Sequence, residues 1–241
     1  MTRRRFFAPP SAFNFSQRSI MLAADEARHL REVLRLKPGA EVSVFDGEGK
    51  EFRARVAQAR RDFAELEMEG EIEPARPESP LRITLAVALL KGEKFDLVVQ
   101  KATELGVNRL VPLITRYADI KLRDESDAAK RVARWQRIAL EAAKQSGRAL
   151  VPEVSLPVTA GSVFSESCLL FSEKGGQELT RIENDEITAI IGSEGGWSDE
   201  ELDQARAAGA RIVTLGGRIL RAETAAITAA ALLQHRFGDL N

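Results

Sequence analysis

The chain has 241 residues, 44% hydrophobic and 29% charged, with a formal net charge of −1; it can bury a real core as one large or two small domains, and its overall charge does not point to nucleic acid. One cysteine (Cys168) and two histidines (His29, His235) exclude a disulfide framework and a Cys- or His-rich metal centre. No stretch reaches the roughly 18 apolar residues of a membrane span, and the basic start runs through Phe6-Phe7 into Pro9-Pro10 rather than an apolar signal core, so a cytoplasmic location is expected.

The front of the chain reads mostly as strands. One helix is expected over 25–34, with Ala27, Leu30 and Leu34 on one face. Alternation at Val42 and Val44, then at Phe52, Ala54 and Val56, flanks the turn Asp46-Gly47-Glu48-Gly49 and predicts a β-hairpin. Phe63, Leu66 and Met68 mark a further strand, and the whole reads as a small β-barrel. Residues 1–61 hold 13 Lys/Arg against 7 Asp/Glu, a local excess that suits RNA phosphates or a solvated surface. Phe6, Phe7, Phe13 and Phe15 are candidates for base stacking or for barrel core. Pro74, Pro77 and Pro80 mark a linker over 74–80, which separates a barrel domain (1–73) from a second domain (81–241).

The second domain alternates strand and helix. Strands are expected over 81–90, 110–114, 168–171, 187–191 and 211–215. Helices are expected over 92–105, 127–146, from the N-cap Ser198 to 208, and 222–237. This order implies an α/β domain with a mainly parallel sheet. Residues 121–148 carry eight basic side chains (Lys121, Arg123, Lys130, Arg131, Arg134, Arg137, Lys144, Arg148) against four acidic ones, an extension of a basic track or a solvated helix face.

In such sheets ligands bind at the carboxyl ends of the strands. Three glycine loops leave strands there: Ser172-Glu173-Lys174-Gly175-Gly176, Gly192-Ser193-Glu194-Gly195-Gly196, and Gly216-Gly217-Arg218. Any one of them reads as a tight turn; the three together read as one cleft. No loop has the G-x-G-x-x-G or P-loop pattern, and Ile191-Gly192-Ser193-Glu194-Gly195 lacks the first glycine of a nucleophile elbow.

Two segments, Ile191-Gly192-Ser193-Glu194-Gly195-Gly196-Trp197-Ser198 and Leu215-Gly216-Gly217-Arg218-Ile219-Leu220-Arg221-Ala222-Glu223-Thr224-Ala225, resemble the ribosomal small-subunit methyltransferase E family. That family belongs to the knotted SPOUT methyltransferases, and its members methylate N3 of a uridine in 16S rRNA. Arg4-Arg5-Phe6-Phe7, residues 29–35, Phe45-Asp46-Gly47, Gln100-Lys101-Ala102-Thr103-Glu104-Leu105-Gly106, residues 141–148 and Arg236-Phe237-Gly238-Asp239-Leu240 fit the same pattern, so the resemblance spans nearly the whole chain.

The resemblance implies a trefoil-knotted α/β domain behind a PUA- or OB-like barrel, a homodimer, S-adenosylmethionine as cofactor, the 16S rRNA of the 30S subunit as partner, and no metal. It implies a cofactor site of Phe171, Glu173, Ile191, Gly192, Glu194, Gly195, Gly196, Leu215, Gly216, Leu220, Arg221, Thr224 and Ala225. RNA contacts are implied for Arg3, Arg4, Arg5, Arg28, Arg31, Arg35, Lys91 and Arg148. Arg221 is the candidate catalytic cation over the uracil imide, with a phosphate contact or a salt bridge to Glu223 as its other readings. Glu194 is the second catalytic candidate, as base or as partner of the substrate ring, with capping of the following helix as its other reading. Ser193 and Gly217 stand where the family usually or often has proline, which loosens two loops. A SPOUT enzyme acting on another RNA such as tRNA, and a non-catalytic RNA-binding or assembly protein, are the competing readings; a small-molecule α/β enzyme would leave the basic front unexplained.

Overall fold

The computed structural model describes residues 4–180, 182 and 184–240. The chain divides into two compact units, residues 1–78 with 143–151, and residues 79–142 with 152–241.

The first unit is a six-stranded sheet curled into a half-barrel. Its strands are β1 (Arg5–Phe7), β2 (Phe13–Asn14), β3 (Ser19–Leu22), β4 (Glu41–Phe45), β5 (Glu51–Ala59) and β6 (Ala64–Ile72), in spatial order β1-β4-β5-β6-β3-β2. β1 runs parallel to β4, and the other pairs are antiparallel. The expected hairpin is β4–β5, and Asp46 closes its turn by accepting hydrogen bonds from the backbone N–H of Glu48 and Lys50. Register shifts at Arg53/Ala54 and Val56/Gln58 bend β5. Alternate residues of the strands face one core, where Val42, Val44, Phe52, Ala54 and Val56 pack with Phe6, Ile20, Leu22 and Leu66. The expected helix is present in altered form. α1 (Ala24–Arg28) passes into a π turn over His29–Val33, and Arg35 leaves it at φ 51°. β1, β2 and β3 were not expected; at two to four residues they are too short to show an alternation.

The second unit is a parallel α/β sheet. It contains β7 (Arg82–Ala88), β8 (Arg109–Ile114), β9 (Glu153–Val154), β10 (Val158–Thr159), β11 (Cys168–Phe171), β12 (Glu186–Ile191) and β13 (Arg211–Val213). The order is β10-β8-β7-β12-β11-β13, with β9 also on β8, and these strands pair in parallel. Its helices are α2 (Lys94–Glu104), α3 (Glu125–Ser146), α4 (Asp199–Ala207) and α5 (Ala222–Phe237). α4 closes a core of Ala86, Leu113, Leu170, Ile190, Trp197, Leu202 and Ile212. Ile83, Leu85 and Val87 alternate to the opposite face of β7, and α5 packs on β7, β12 and α2. The buried Gln234 of α5 accepts from Ser79 (2.7 Å) and donates to the Gly106 carbonyl (3.3 Å), which ties the last helix to the start of the unit.

Candidate functional site

Register alone gathers the three glycine turns. Phe171 at the end of β11 lies level with Ile191 of β12 on one side and Val213 of β13 on the other. The turns beginning at Ser172, Gly192 and Thr214 therefore leave the carboxyl edge side by side. β13 is the edge strand, yet α5 packs on β12 and β7, so residues 214–221 must run back across the ends of β11 and β12.

The strand ends and that returning segment enclose a narrow cleft. Of the expected cofactor residues, Phe171, Glu173, Ile191, Leu215, Gly216, Leu220 and Ala225 line it. Ser172, Thr214, Arg218 and Ile219 line it too; they belong to the same turns, and only the returning path of the chain shows which of their side chains face inward. The cleft measures about 60 Å³, well under the roughly 300 Å³ at which small-molecule sites begin. Its outer wall, residues 216–219, is exposed loop, with Ile219 86% exposed and Gly216 at φ 102°.

Gly192, Gly195 and Gly196 shape this edge without lining the cleft. A Cβ at Gly192 would stand 3.0 Å from the ring of Trp197, whose Nε1 donates to the Phe171 carbonyl at 3.0 Å. A Cβ at Gly195 would stand 2.7 Å from Cβ of Tyr117. Gly196 has φ 72° and donates its N–H to the Ser193 carbonyl, closing the turn. Ser193 is buried, and its hydroxyl has no hydrogen-bond partner among the described residues. Thr224 is exposed and outside the cleft lining.

The charged candidates are arranged differently from expectation. Helix α4 is capped by Ser198 and Glu201 in a reciprocal capping box, not by Glu194. Glu194 instead accepts from Lys94 Nζ at 2.7 Å. Burial works against its charge, but the Lys94 hydrogen bond and its own backbone N–H prevail and hold its carboxyl below the ordinary value. Lys94 also faces Glu223 at 4.0 Å. Arg221 is exposed at the N-cap of α5 and makes no ion pair among the described residues, so the salt bridge to Glu223 is not formed.

Two expected RNA contacts need correction. Arg148 is 5% exposed, and its guanidinium holds Glu78 at 3.1 and 2.5 Å. Arg5 pairs with Glu51 at 3.1 Å, donates to the Arg148 carbonyl and stacks on Phe45. Both guanidinium groups are turned inward onto carboxylates, which leaves little of either surface open to phosphate. Lys91 is exposed and bound to Asp119 at 2.7 Å, a hydrogen bond that raises its pKa. Arg28 pairs with Asp25 and Arg31 with Glu32. Arg4 and Arg35 are exposed without ion pairs among the described residues, and Arg3 lies outside them. In the 121–148 stripe, Arg131, Arg134, Lys144 and Arg148 pair with Asp127, Asp96, Glu26 and Glu78, while Lys121, Arg123, Lys130 and Arg137 are exposed. Phe6 is core, whereas Phe15 is 63% exposed and stacks on Phe13.

A larger basin of about 710 Å³ opens at the amino edge of the same sheet, beside Arg82, Asn108 and Asp185. Its arginines are paired, Arg82 with Glu186 and Arg109 with Glu153, and it sits at the edge opposite to the one where such sheets hold ligands.

A curled sheet thus precedes a parallel α/β domain with glycine turns at its carboxyl edge. Residues 77–234 match the family model described as an RNA methyltransferase domain, and residues 22–69 the model described as an RNA methyltransferase PUA domain. The chain is 35% identical over 233 residues to ribosomal RNA small subunit methyltransferase E of Synechocystis sp., covering 88% of this chain and 72% of that one. It is 32% identical to the protein of that name from Mesomycoplasma hyopneumoniae, covering 92% and 95% of the two chains. The crystal structure of that methyltransferase from Neisseria gonorrhoeae, bound to S-adenosyl methionine, superposes with a TM-score of 0.87 at 37% identity, covering 99% of this chain and 100% of that one. The chain belongs to the ribosomal RNA small subunit methyltransferase E family.

Proposed function

We propose that the chain transfers a methyl group from S-adenosylmethionine to N3 of a uridine in the 16S rRNA of the small ribosomal subunit. The observation that carries this reading is the alignment of the β11, β12 and β13 ends, which sets the turns after β11 and β13 around one cleft floored by the end of β12. Its walls suit a nucleoside. Phe171, Ile191, Leu215 and Leu220 are apolar, Ala225 is small, and the turns present backbone N–H and C=O groups. Those residues hold the cofactor in this reading, with Glu173 and Thr224 at the rim and Gly192, Gly195 and Gly196 fixing the turn behind it.

Bound S-adenosylmethionine supplies an electrophilic methyl group on a sulfonium. The chain's part is to hold the uracil ring in line with that methyl and to stabilise the imide anion as N3 loses its proton. In this reading Arg221, exposed beside Leu220 and free of ion pairs among the described residues, sets its guanidinium against the uracil oxygens.

The finer parts of the reading rest on the family. The return of residues 214–221 across the strand ends supports a knotted path for the C-terminal segment. Ala226, Ala229 and Ala230 of α5 are buried within the chain, so self-association as a homodimer would use the partly exposed Ile227, Ala231 and Leu232. Exposed side chains open to RNA include Arg4, Arg35 and Phe15 on the first unit, and Lys121, Arg123, Lys130 and Arg137 on the second. No described helix is long and apolar enough to cross a membrane, and a ribosomal substrate fits a cytoplasmic location.

Incubation with methyl-labelled cofactor and, separately, 30S subunits, free 16S rRNA and tRNA tests the function. Label is expected in the 16S rRNA as N3-methyluridine by nucleoside mass spectrometry. Label confined to tRNA, or on another atom of the base, would contradict it.

A further inference from the structure

Glu223, in the first turn of α5 and outside the cleft lining, has no role in the site as described so far. Its side chain is 12% exposed. Its Oε2 is fully buried and has no hydrogen-bond partner among the described residues, and the cation facing it, Lys94 Nζ, stands 4.0 Å away. Leaving a buried carboxylate oxygen unsatisfied is costly, and such groups persist where a ligand's donor completes them.

We propose that Glu223 is the general base that takes the N3 proton of the target uridine, and that Lys94 is a positioning residue holding Glu194 and Glu223 at a fixed separation. The assignment rests on the reading of the chain as a uridine-N3 methyltransferase. Three elements converge here: Lys94 opens α2, Glu194 belongs to the turn after β12, and Glu223 opens α5. Glu194 is the poorer candidate, because its carboxylate is taken up by Lys94 at 2.7 Å, which holds its pKa below the ordinary value. The other charges of the packed elements are committed elsewhere. Lys101 of α2 holds Glu104, Asp96 holds Arg134 and Trp135, and Arg221 precedes Glu223 on the exposed side of the cap.

The step balances. The N3–H bond breaks to the Glu223 carboxylate and leaves its electron pair on N3. That pair forms the N3–CH3 bond as the C–S bond breaks, and the C–S electrons stay on sulfur. N3-methyluridine, the neutral thioether of the spent cofactor and a protonated Glu223 result, and the proton passes to solvent when the product leaves.

Single-turnover methylation of 30S subunits, measured against pH, tests the assignment alongside cofactor calorimetry and thermal unfolding. Glu223→Gln is expected to bind cofactor within about threefold of wild type and to melt within about 4 °C of it. Its rate near neutral pH is expected to fall about 100-fold or more and to recover as rising pH ionises the uridine imide unaided. A rate close to wild type, or one depressed equally at every pH, would overturn the assignment. If Glu223→Gln loses cofactor or unfolds, Glu223→Asp decides. A slower enzyme with the wild-type pH profile supports the base, and a profile stripped of its acid limb overturns it. Wild-type protein that methylates no uridine N3 defeats the underlying reading and the assignment with it, whereas an active wild type with an unaffected Glu223→Gln defeats the assignment alone.

Discussion

Arg221 shares its lack of an ion pair among the described residues with Arg218 of the cleft wall, but Arg221 stands at the N-cap of α5, next to Leu220 of the cleft. A cation so placed can act on charge that appears only as N3 is deprotonated, which raises the rate without tightening ground-state binding. Arg221→Ala is expected to cut methyl transfer about 100-fold while cofactor affinity changes by no more than about threefold. Calorimetry beside single-turnover kinetics separates the two, and equal losses in both would make Arg221 a cofactor ligand instead. The motif around Arg221 was legible in the sequence; the absence of a salt bridge to Glu223 was not, because the cation facing that carboxylate, Lys94, comes from α2, more than a hundred residues away. Arg5 and Arg148 show the same limit from the other direction. Each reads as an exposed basic residue until folding brings Glu51 and Glu78 against it.

The turns were legible as separate elements through their glycines, and the helices through their 3.6-residue period and caps; Ser198 caps α4 as its spacing with Glu201 implies. What a linear pattern cannot carry is strand order. Nothing local places β12 between β7 and β11, yet that order aligns Ile191, Phe171 and Val213 and so makes the cleft. The turn after β12 is held from behind by Tyr117, whose backbone carbonyl would lie 3.1 Å from a Cβ at position 195. Backbone cannot yield as a side chain tip can. Gly195→Ala is therefore expected to cost about 1–3 kcal/mol of stability and to weaken cofactor binding about tenfold, although residue 195 does not line the cleft. Denaturant unfolding and calorimetry on the same preparation check both; unchanged affinity would mean that this turn moves independently of the site.

At the scale of the molecule, two independently cored units share the chain, a curled sheet with exposed Arg4, Arg35 and Phe15, and an α/β sheet with its ligand edge built from the last third of the sequence. A chain with net charge −1 reaches RNA through local basic surface rather than a global field, so its RNA affinity should depend on salt through a few contacts. The seven-stranded sheet has a narrow cleft at its carboxyl edge and larger depressions at its amino edge, and the proposed cofactor site is the narrow cleft. A crystal structure of the protein grown with saturating S-adenosylmethionine tests this most directly. The account predicts the adenosine between the backbone at Ser172, Ile191 and Leu215–Leu220, with the Gly216–Ile219 wall displaced outward. Cofactor seated in the amino-edge basin beside Arg82 and Asn108, with the carboxyl-edge turns unmoved, would contradict it.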